Sequence, residues 1–372
     1  VECAAYGDRR SRAVGFPPSP FLCAARAFQS GLGMSIGKKR RSTGRVTLAD
    51  VAQLAGVGTM TVSRALRTPE QVSDKLREKI EAAVSELGYL PNLAASSLAS
   101  ASSYTIAMVV PSLSESGCAE MFAGLQKVLQ PAGYHIMLAE SQHHLEREEK
   151  LLETLLSYNL AAAVLLSVEH SQNARNALIA ANIPVVEIGA VRADPIDMSI
   201  GIDYVAAMYQ LTQTVIASGY QNIGLLCANQ EQWIFQQHLQ GWHKALLRNH
   251  MSPHRVINAA QPASFSTGAQ QLPEFLLAWP ELDALVCASD ELAGGALYEC
   301  QRRRIKVPDN LAVVGFGNSE FSRVCQPPLT TMTIPHRDIG IQAGQALLAR
   351  LNEQPWQPAG SLPATLCRRD SC

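Results

Sequence analysis

A glycine-bracketed break, Gly56-Val57-Gly58, cuts a helical apolar stripe after barely two turns and forces two short helices where one long one would otherwise run. Upstream, Leu48, Val51, Ala52 and Leu54-Ala55 share one face, and Thr47 stands where a helix cap is needed. Downstream, Thr59-Met60-Thr61-Val62-Ser63-Arg64-Ala65-Leu66 reads as a second helix with Val62 and Leu66 facing the core, and Pro69 stops the next turn. Ser73 opens a third helix that carries Leu76, Ile80, Val84 and Leu87 on one face before Gly88 ends it. Two short helices about a glycine turn, closed by a third, make a helix-turn-helix.

With Val62 and Leu66 inward, the second helix offers Thr59, Met60, Thr61, Ser63, Arg64 and Arg67 to a DNA groove. Arg64 can fork onto the O6/N7 edge of a guanine, a contact worth roughly 1–3 kcal/mol of discrimination. The hydroxyls of Thr47, Thr61, Ser63 and Ser73, with Gln71, suit phosphate positioning better than base reading. After Tyr89-Leu90 comes Pro91-Asn92-Leu93-Ala94-Ala95-Ser96-Ser97-Leu98-Ala99-Ser100, with a proline at a helix start. Such a segment is shorter than the roughly 12–15 residues that hold a helix alone in water, so it should order only against a partner.

These residues resemble the DNA-binding head and hinge of the lactose/galactose repressor (LacI/GalR) family. The strings RVTLADVAQLAGVGTMTVSRAL and VSDKLREKIEAAVSELGYLPN carry the likeness, with Gly58 where the family has Ser. The resemblance implies operator double-stranded DNA as a partner, Asn92 among the DNA contacts, and paired hinge helices that push Leu98 into the minor groove. A wedge of that kind kinks the duplex at a cost of a few kcal/mol. Leu93 stands where the family often has Arg, which removes one phosphate contact.

Charge divides the chain in the same way. Residues 34–101 hold ten Lys and Arg against six Asp and Glu, a net of +4, whereas residues 102–372 hold seventeen against twenty-four, a net of −7. A basic head on an acidic body suits a head that meets phosphates. Residues 1–33, with Arg9, Arg10, Arg12 and the Pro17-Pro18 break, show no helical or strand period; they read as an extension without fold ahead of Met34, with a transit peptide as the alternative. The nine cysteines are scattered and odd in number, without CxxC pairs, so neither a disulfide framework nor a metal site is expected and a reducing cytoplasm is the simplest home. No run reaches the roughly 18 apolar residues of a membrane span.

Past Ser103, strand-like runs at Thr105-Val110, His135-Ala139, Ala163-Leu166, Pro184-Ile188, Ile223-Cys227, Ala284-Cys287 and Leu311-Val314 alternate with amphipathic stretches such as 146–158, 204–218 and 233–249. That alternation predicts two doubly wound parallel lobes, a periplasmic-binding-protein-like clamp. The expected organisation is a head over 34–90, a hinge over 91–102 and an effector and dimerisation domain over 103–372. Lobe 1 covers about 103–219 plus 331–352, and lobe 2 about 220–330 plus the tail, with crossings near 218–220 and 327–331.

Ligands in such sheets bind beyond the strand C-termini. Those ends offer Ser112, Ser114, Glu140, Ser141, Ser167, Glu187 and Asp203 from lobe 1, and His238, Ser289, Asp290 and Asn318 from lobe 2. Hydroxyls and carboxylates together suit a polyol. Against the family pattern, Gly117-Cys118 replaces an aromatic, His238 an Arg and Gly317-Asn318 an Asp; losing that Asp removes repulsion against a carboxylate-bearing ligand. With the Met60–Arg64 and Pro69–Ser73 strings, this resembles the gluconate-responsive branch, which implies a sugar or sugar-acid effector, while a neutral sugar or nucleoside is the alternative within the family. No leucine-heptad tail follows Arg350, so a homodimer is expected rather than a tetramer.

An enzyme would need a nucleophile elbow, a phosphate loop or a metal cluster; no G-x-S-x-G, G-x-x-x-x-G-K-[ST] or H-E-x-x-H occurs, and no cofactor is expected. His143-His144 reads as a solvated helix start. A solute-binding protein would share the clamp but lack the basic head.

Overall fold

The computed structural model describes residues 46–90, 103–114, 117–228, 232–356 and 360–372. They fall into two units that divide after Pro91. The expected extension and hinge, with Asn92 and Leu98, lie outside the described residues.

The first unit holds α1 (Leu48–Ala55), α2 (Thr59–Arg67) and α3 (Asp74–Leu87). Thr47 caps α1 in a reciprocal box with Asp50, two residue types that satisfy each other's orphan amides. At the end of α1, Gly56 takes a left-handed φ of 62°, and the amides of Gly56 and Val57 return to the carbonyls of Gln53 and Ala52. Gly88 closes α3 in the same way, with Tyr89 N–H bonded to Val84 O. A core of Val51, Ala52, Ala55, Val62, Ala65, Ile80, Ala83 and Tyr89 joins the three helices. Leu66 does not join it: it is 37% exposed, and Ala65 fills the position beside Val62.

The second unit runs β1 (Thr105–Val110), α4 (Cys118–Leu129), β2 (His135–Glu140), α5 (Leu145–Leu156), β3 (Ala162–Leu165), α6 (Gln172–Ala181), β4 (Val185–Ala190) and β5 (Met198–Ile202). These strands pair in parallel in the order β2-β1-β3-β4-β5. Next come α7 (Tyr204–Ala217), β6 (Ile223–Ala228), α8 (Gln232–Arg248), β7 (Val256–Ala259), α9 (Phe265–Ala278), β8 (Ala284–Cys287), α10 (Asp290–Arg303), β9 (Ala312–Gly317), α11 (Phe321–Val324), β10 (Thr330–Thr333), α12 (His336–Leu351) and β11 (Thr365–Cys367). The second sheet has the order β11-β10-β9-β8-β6-β7, antiparallel only at β11. Central strands such as β6 and β8 are buried throughout, which explains their unbroken apolar runs.

The lobe boundaries differ from expectation. Helix α7 packs on α8 and the second sheet, so the first crossing falls at Asp203 instead of near Ser218. Strand β10 still belongs to lobe 2, while α12 packs on α4, so the chain returns to lobe 1 near Pro335. The α4–α12 contact is backbone-close: a Cβ on Gly340 would lie 2.1 Å from Met121 O. The C-terminus is threaded into lobe 2, where Ser371 exchanges hydrogen bonds with Val313 and Thr330 and is wholly buried. Among the described residues no helix is long and apolar enough to cross a membrane.

Candidate functional site

On the head, Thr59, Met60, Arg64 and Arg67 are exposed on α2, and Thr61 and Ser63 are half-buried. Met60 shows 74% of its surface, high for an apolar side chain and suited to a thymine methyl. Helix α2 carries no acidic residue, and its cap, Gly58, supplies no side-chain bond, so its first amides face outward with the positive end of the helix dipole. Gln71 and Ser73 are exposed on the turn into α3. The Thr47 hydroxyl is engaged with Asp50 at 2.7 Å, and that bond holds the Asp50 carboxyl below its ordinary range. Residues 46–90 alone hold five Lys and Arg against six Asp and Glu, so the positive balance of the head comes from Lys38 to Arg45.

In lobe 1 the structure gathers three expected residues at the ends of β1 and β2. The hydroxyls of Ser112 and Ser114 are 2.9 Å apart, and Leu113 N–H donates to Glu140 Oε1 at 3.0 Å. Ser141 Oγ donates to Val110 O. Ser167 closes the turn after β3 by exchanging bonds with the backbone of Glu169. Asp203 is exposed at the crossing, where it caps α7 through Ala206 N–H. Glu187 departs from expectation. It is wholly buried inside lobe 1, accepts from Ile196 N–H at 2.7 Å and lies 3.4 Å from His170 Nε2. Nδ1 of His170 meets Glu148 Oε1 at 2.6 Å. Burial opposes the imidazolium, but the two carboxylates outweigh it and raise His170 to about 9.

In lobe 2, His238 is buried in an aromatic cage, edge-on to Tyr204 and Phe316 at 5.1 Å from each. Burial pushes it down to about 3, so it is neutral. Ser289 caps α10 through Leu292 N–H. Asp290 is 1% exposed, with Thr331 Oγ1 and Ser319 N–H each donating to it at 2.6 Å. Burial raises its pKa. Asn318 sits at φ 55° and accepts from Arg369 Nη2 and Ser322 Oγ. The buried ring of His336, held neutral with a pKa pushed down to about 4, packs on Gly117; a Cβ there would lie 2.2 Å from the ring, so the space of the missing aromatic is filled.

The lobes touch through residues outside the set of strand-end hydroxyls and carboxylates. Trp233 N–H, in the first turn of α8, donates to Glu169 Oε1 of lobe 1 at 3.0 Å. The guanidinium of Arg192, on the β4–β5 loop, lies over the Trp233 ring at 5.4 Å. Arg192 Nη1 donates to Val168 O at 2.9 Å, and its amide to Ser199 Oγ. A signal for Arg192 existed in the sequence, as a lone cation in a strand-end loop. Glu148 gave none, because it stands inside a charged run that reads as solvated.

A helix-turn-helix head joined to a two-sheet clamp defines a ligand-binding DNA regulator. Residues 47–92 match the description "Bacterial regulatory proteins, lacI family", and residues 212–372 match "Periplasmic binding protein-like domain". The chain is 37% identical over 315 residues to the HTH-type transcriptional regulator GntR of Escherichia coli, covering 84% of this chain and 94% of that protein. A lacI-family regulator from Silicibacter pomeroyi superposes with a TM-score of 0.81 at 30% identity, over 88% of this chain and 99% of that one. The lac repressor dimer bound to operator and an anti-inducer gives 0.76 at 28% identity, over 88% and 99%. The chain therefore belongs to the lacI family of bacterial regulatory proteins. It is a DNA-binding transcriptional repressor, not an enzyme.

Proposed function

We propose that this repressor binds its operator as a homodimer in the cytoplasm and that a sugar acid of the gluconate type sets its grip on DNA. Base reading falls to Arg64, with Met60 and Thr59 beside it, and phosphate positioning to Thr61, Ser63, Gln71 and Ser73. In the clamp, Ser112, Ser114, Glu140 and Ser167 of lobe 1 and Asn318 of lobe 2 supply the polar groups for hydroxyls. Asp203 and Ser289 contribute from helix caps, and His238 contributes a neutral ring. The observation that carries the sugar-acid assignment is Gly317-Asn318 at the end of β9, an amide where the family often has Asp, so that this position adds no carboxylate to repel an anion. The similarity to GntR supports the same branch.

A gel-shift titration of the full chain on its operator tests this reading. Gluconate should change DNA affinity, whereas glucose and adenosine should leave it unaltered. Release by glucose or adenosine alone would replace the effector class, and binding without sequence preference would remove the operator role.

A further inference from the structure

In a clamp of two parallel sheets, the loops that leave the strand C-termini make the facing walls. Across every loop that follows β1 to β10, the sequence places a single Lys or Arg, and it is Arg192. The same loops carry several carboxylates; the buried His238 and His336 near them are neutral, and the buried His170, held charged, is already paired with Glu148 and Glu187. Of the strand-end loops, therefore, only β4–β5 offers an anion a guanidinium of its own.

The setting of Arg192 suits that task. One edge of the guanidinium is fixed by Nη1 to Val168 O, and one face lies on Trp233. Among the described residues, Nε and Nη2 make no hydrogen bond and the group forms no ion pair. The Nε–Nη2 edge is the fork that takes a carboxylate through two parallel bonds, and stacking on an indole leaves that edge open.

We propose that Arg192, backed by Trp233, is the anchor for the anionic group of the effector, and that the anchor spans both lobes. Arg192 belongs to lobe 1 and Trp233 to lobe 2, and the Glu169–Trp233 hydrogen bond runs alongside. A carboxylate on the fork orders the guanidinium against the indole. The ligand thus gains affinity only when the lobes are together, which is the differential binding that shifts a two-state clamp.

The inference rests on the sugar-acid reading above, and the test separates the two. Calorimetry on the full chain compares gluconate with glucitol, which differs by a CH2OH in place of the carboxylate. A charge-assisted pair predicts that the wild type prefers the acid by about ten- to a hundredfold. R192Q should bring the two ligands within about threefold while leaving glucitol affinity unaltered, and R192K should keep part of the preference. W233F should lower acid affinity more than glucitol affinity. Equal loss of both ligands in R192Q would mean that Arg192 only shapes the loop, and an unchanged acid preference would mean that the anchor lies elsewhere; either overturns the anchor alone. A wild type that does not prefer the acid overturns the sugar-acid reading together with it.

Discussion

The buried Glu148–His170–Glu187 group gives a stability that depends on pH in a direction opposite to most carboxylate clusters. His170 is raised from its ordinary 6.5 to about 9, against the cost of burial, by the two carboxylates on either side. A base with a raised folded-state pKa stabilises fully below its unfolded pKa and loses that contribution as pH rises through the folded value. The window therefore runs from about pH 6.5 to about pH 9. At 1.36 kcal/mol per unit the shift is worth on the order of 3 kcal/mol, and about half should be gone by pH 8. Urea midpoints of wild type and H170Q, taken at pH 6.5, 8 and 9.5, isolate the effect, because other groups titrating there cancel in the difference. The gap between the two should be widest at pH 6.5, where removing the imidazolium strands two buried carboxylates. It should narrow by about 3 kcal/mol at pH 9.5. Nitrogen-15 spectra of the imidazole report the same quantity directly. A His170 midpoint at or below 6.5, or a gap that does not change with pH, would refute the reasoning.

Arg64→Ala should cost about 1–3 kcal/mol at one operator position and relax base preference there, as read by competition gel shifts with single-base operator variants; equal loss on random DNA would leave only a phosphate contact. Asp290→Asn, and more so Asp290→Ala, should destabilise the clamp, by about 2–5 kcal/mol for Ala in urea unfolding, because Thr331 and Ser319 lose a buried acceptor. A stable Asp290→Ala chain that has lost only effector binding would make the carboxylate an effector contact and not a structural one. Gly58→Ser should raise head stability by a few tenths of a kcal/mol in thermal unfolding, since Gly58 already has an extended backbone at φ −77°, ψ 152° and open space for a Cβ; a lowered midpoint would show that the cap is not limiting.

The head was readable almost completely, because its helices are set by local signals: a capping box, two glycines at positive φ, and an apolar stripe. Leu66 reads as core because Val62 and Leu66 share a stripe at i, i+4, yet a nine-residue helix wedged between α1 and α3 presents a narrower seam, Val62 and Ala65. In the body, strands buried on both faces announced themselves as apolar runs. Strands β5, β7, β10 and β11 did not, being short and laced with Ser, Gly, Asn or Thr. In β10 the buried polar positions are Thr330 and Thr331, whose hydroxyls find partners in Arg369 O and Asp290, contacts set from about forty residues away. Nor can local sequence say which sheet a helix covers: α7 reads as part of lobe 1, and it packs on α8 of lobe 2.

The effector site was harder to read for a reason built into α/β architecture. Nearly every parallel strand end in these sheets is also the start of a helix, the β4–β5 loop being the exception, and a helix start selects Ser, Thr, Asp and Asn for capping. Those are the residue types a polyol site would use. Ser289 and Asp203 are caps, Asp290 ties β10 to the loop after β9, and Glu187 neutralises a histidine inside lobe 1. Residue type at a strand end therefore says little about the cleft. Arg192 has no such second use: it stands on the β4–β5 loop, where no helix starts and no cap is needed. A cation in a strand-end loop must be held by something else, and in this chain it is held by an indole from the opposite lobe. A fixed charge with no capping role is thus a sharper marker of a ligand wall than polarity that helix starts already select.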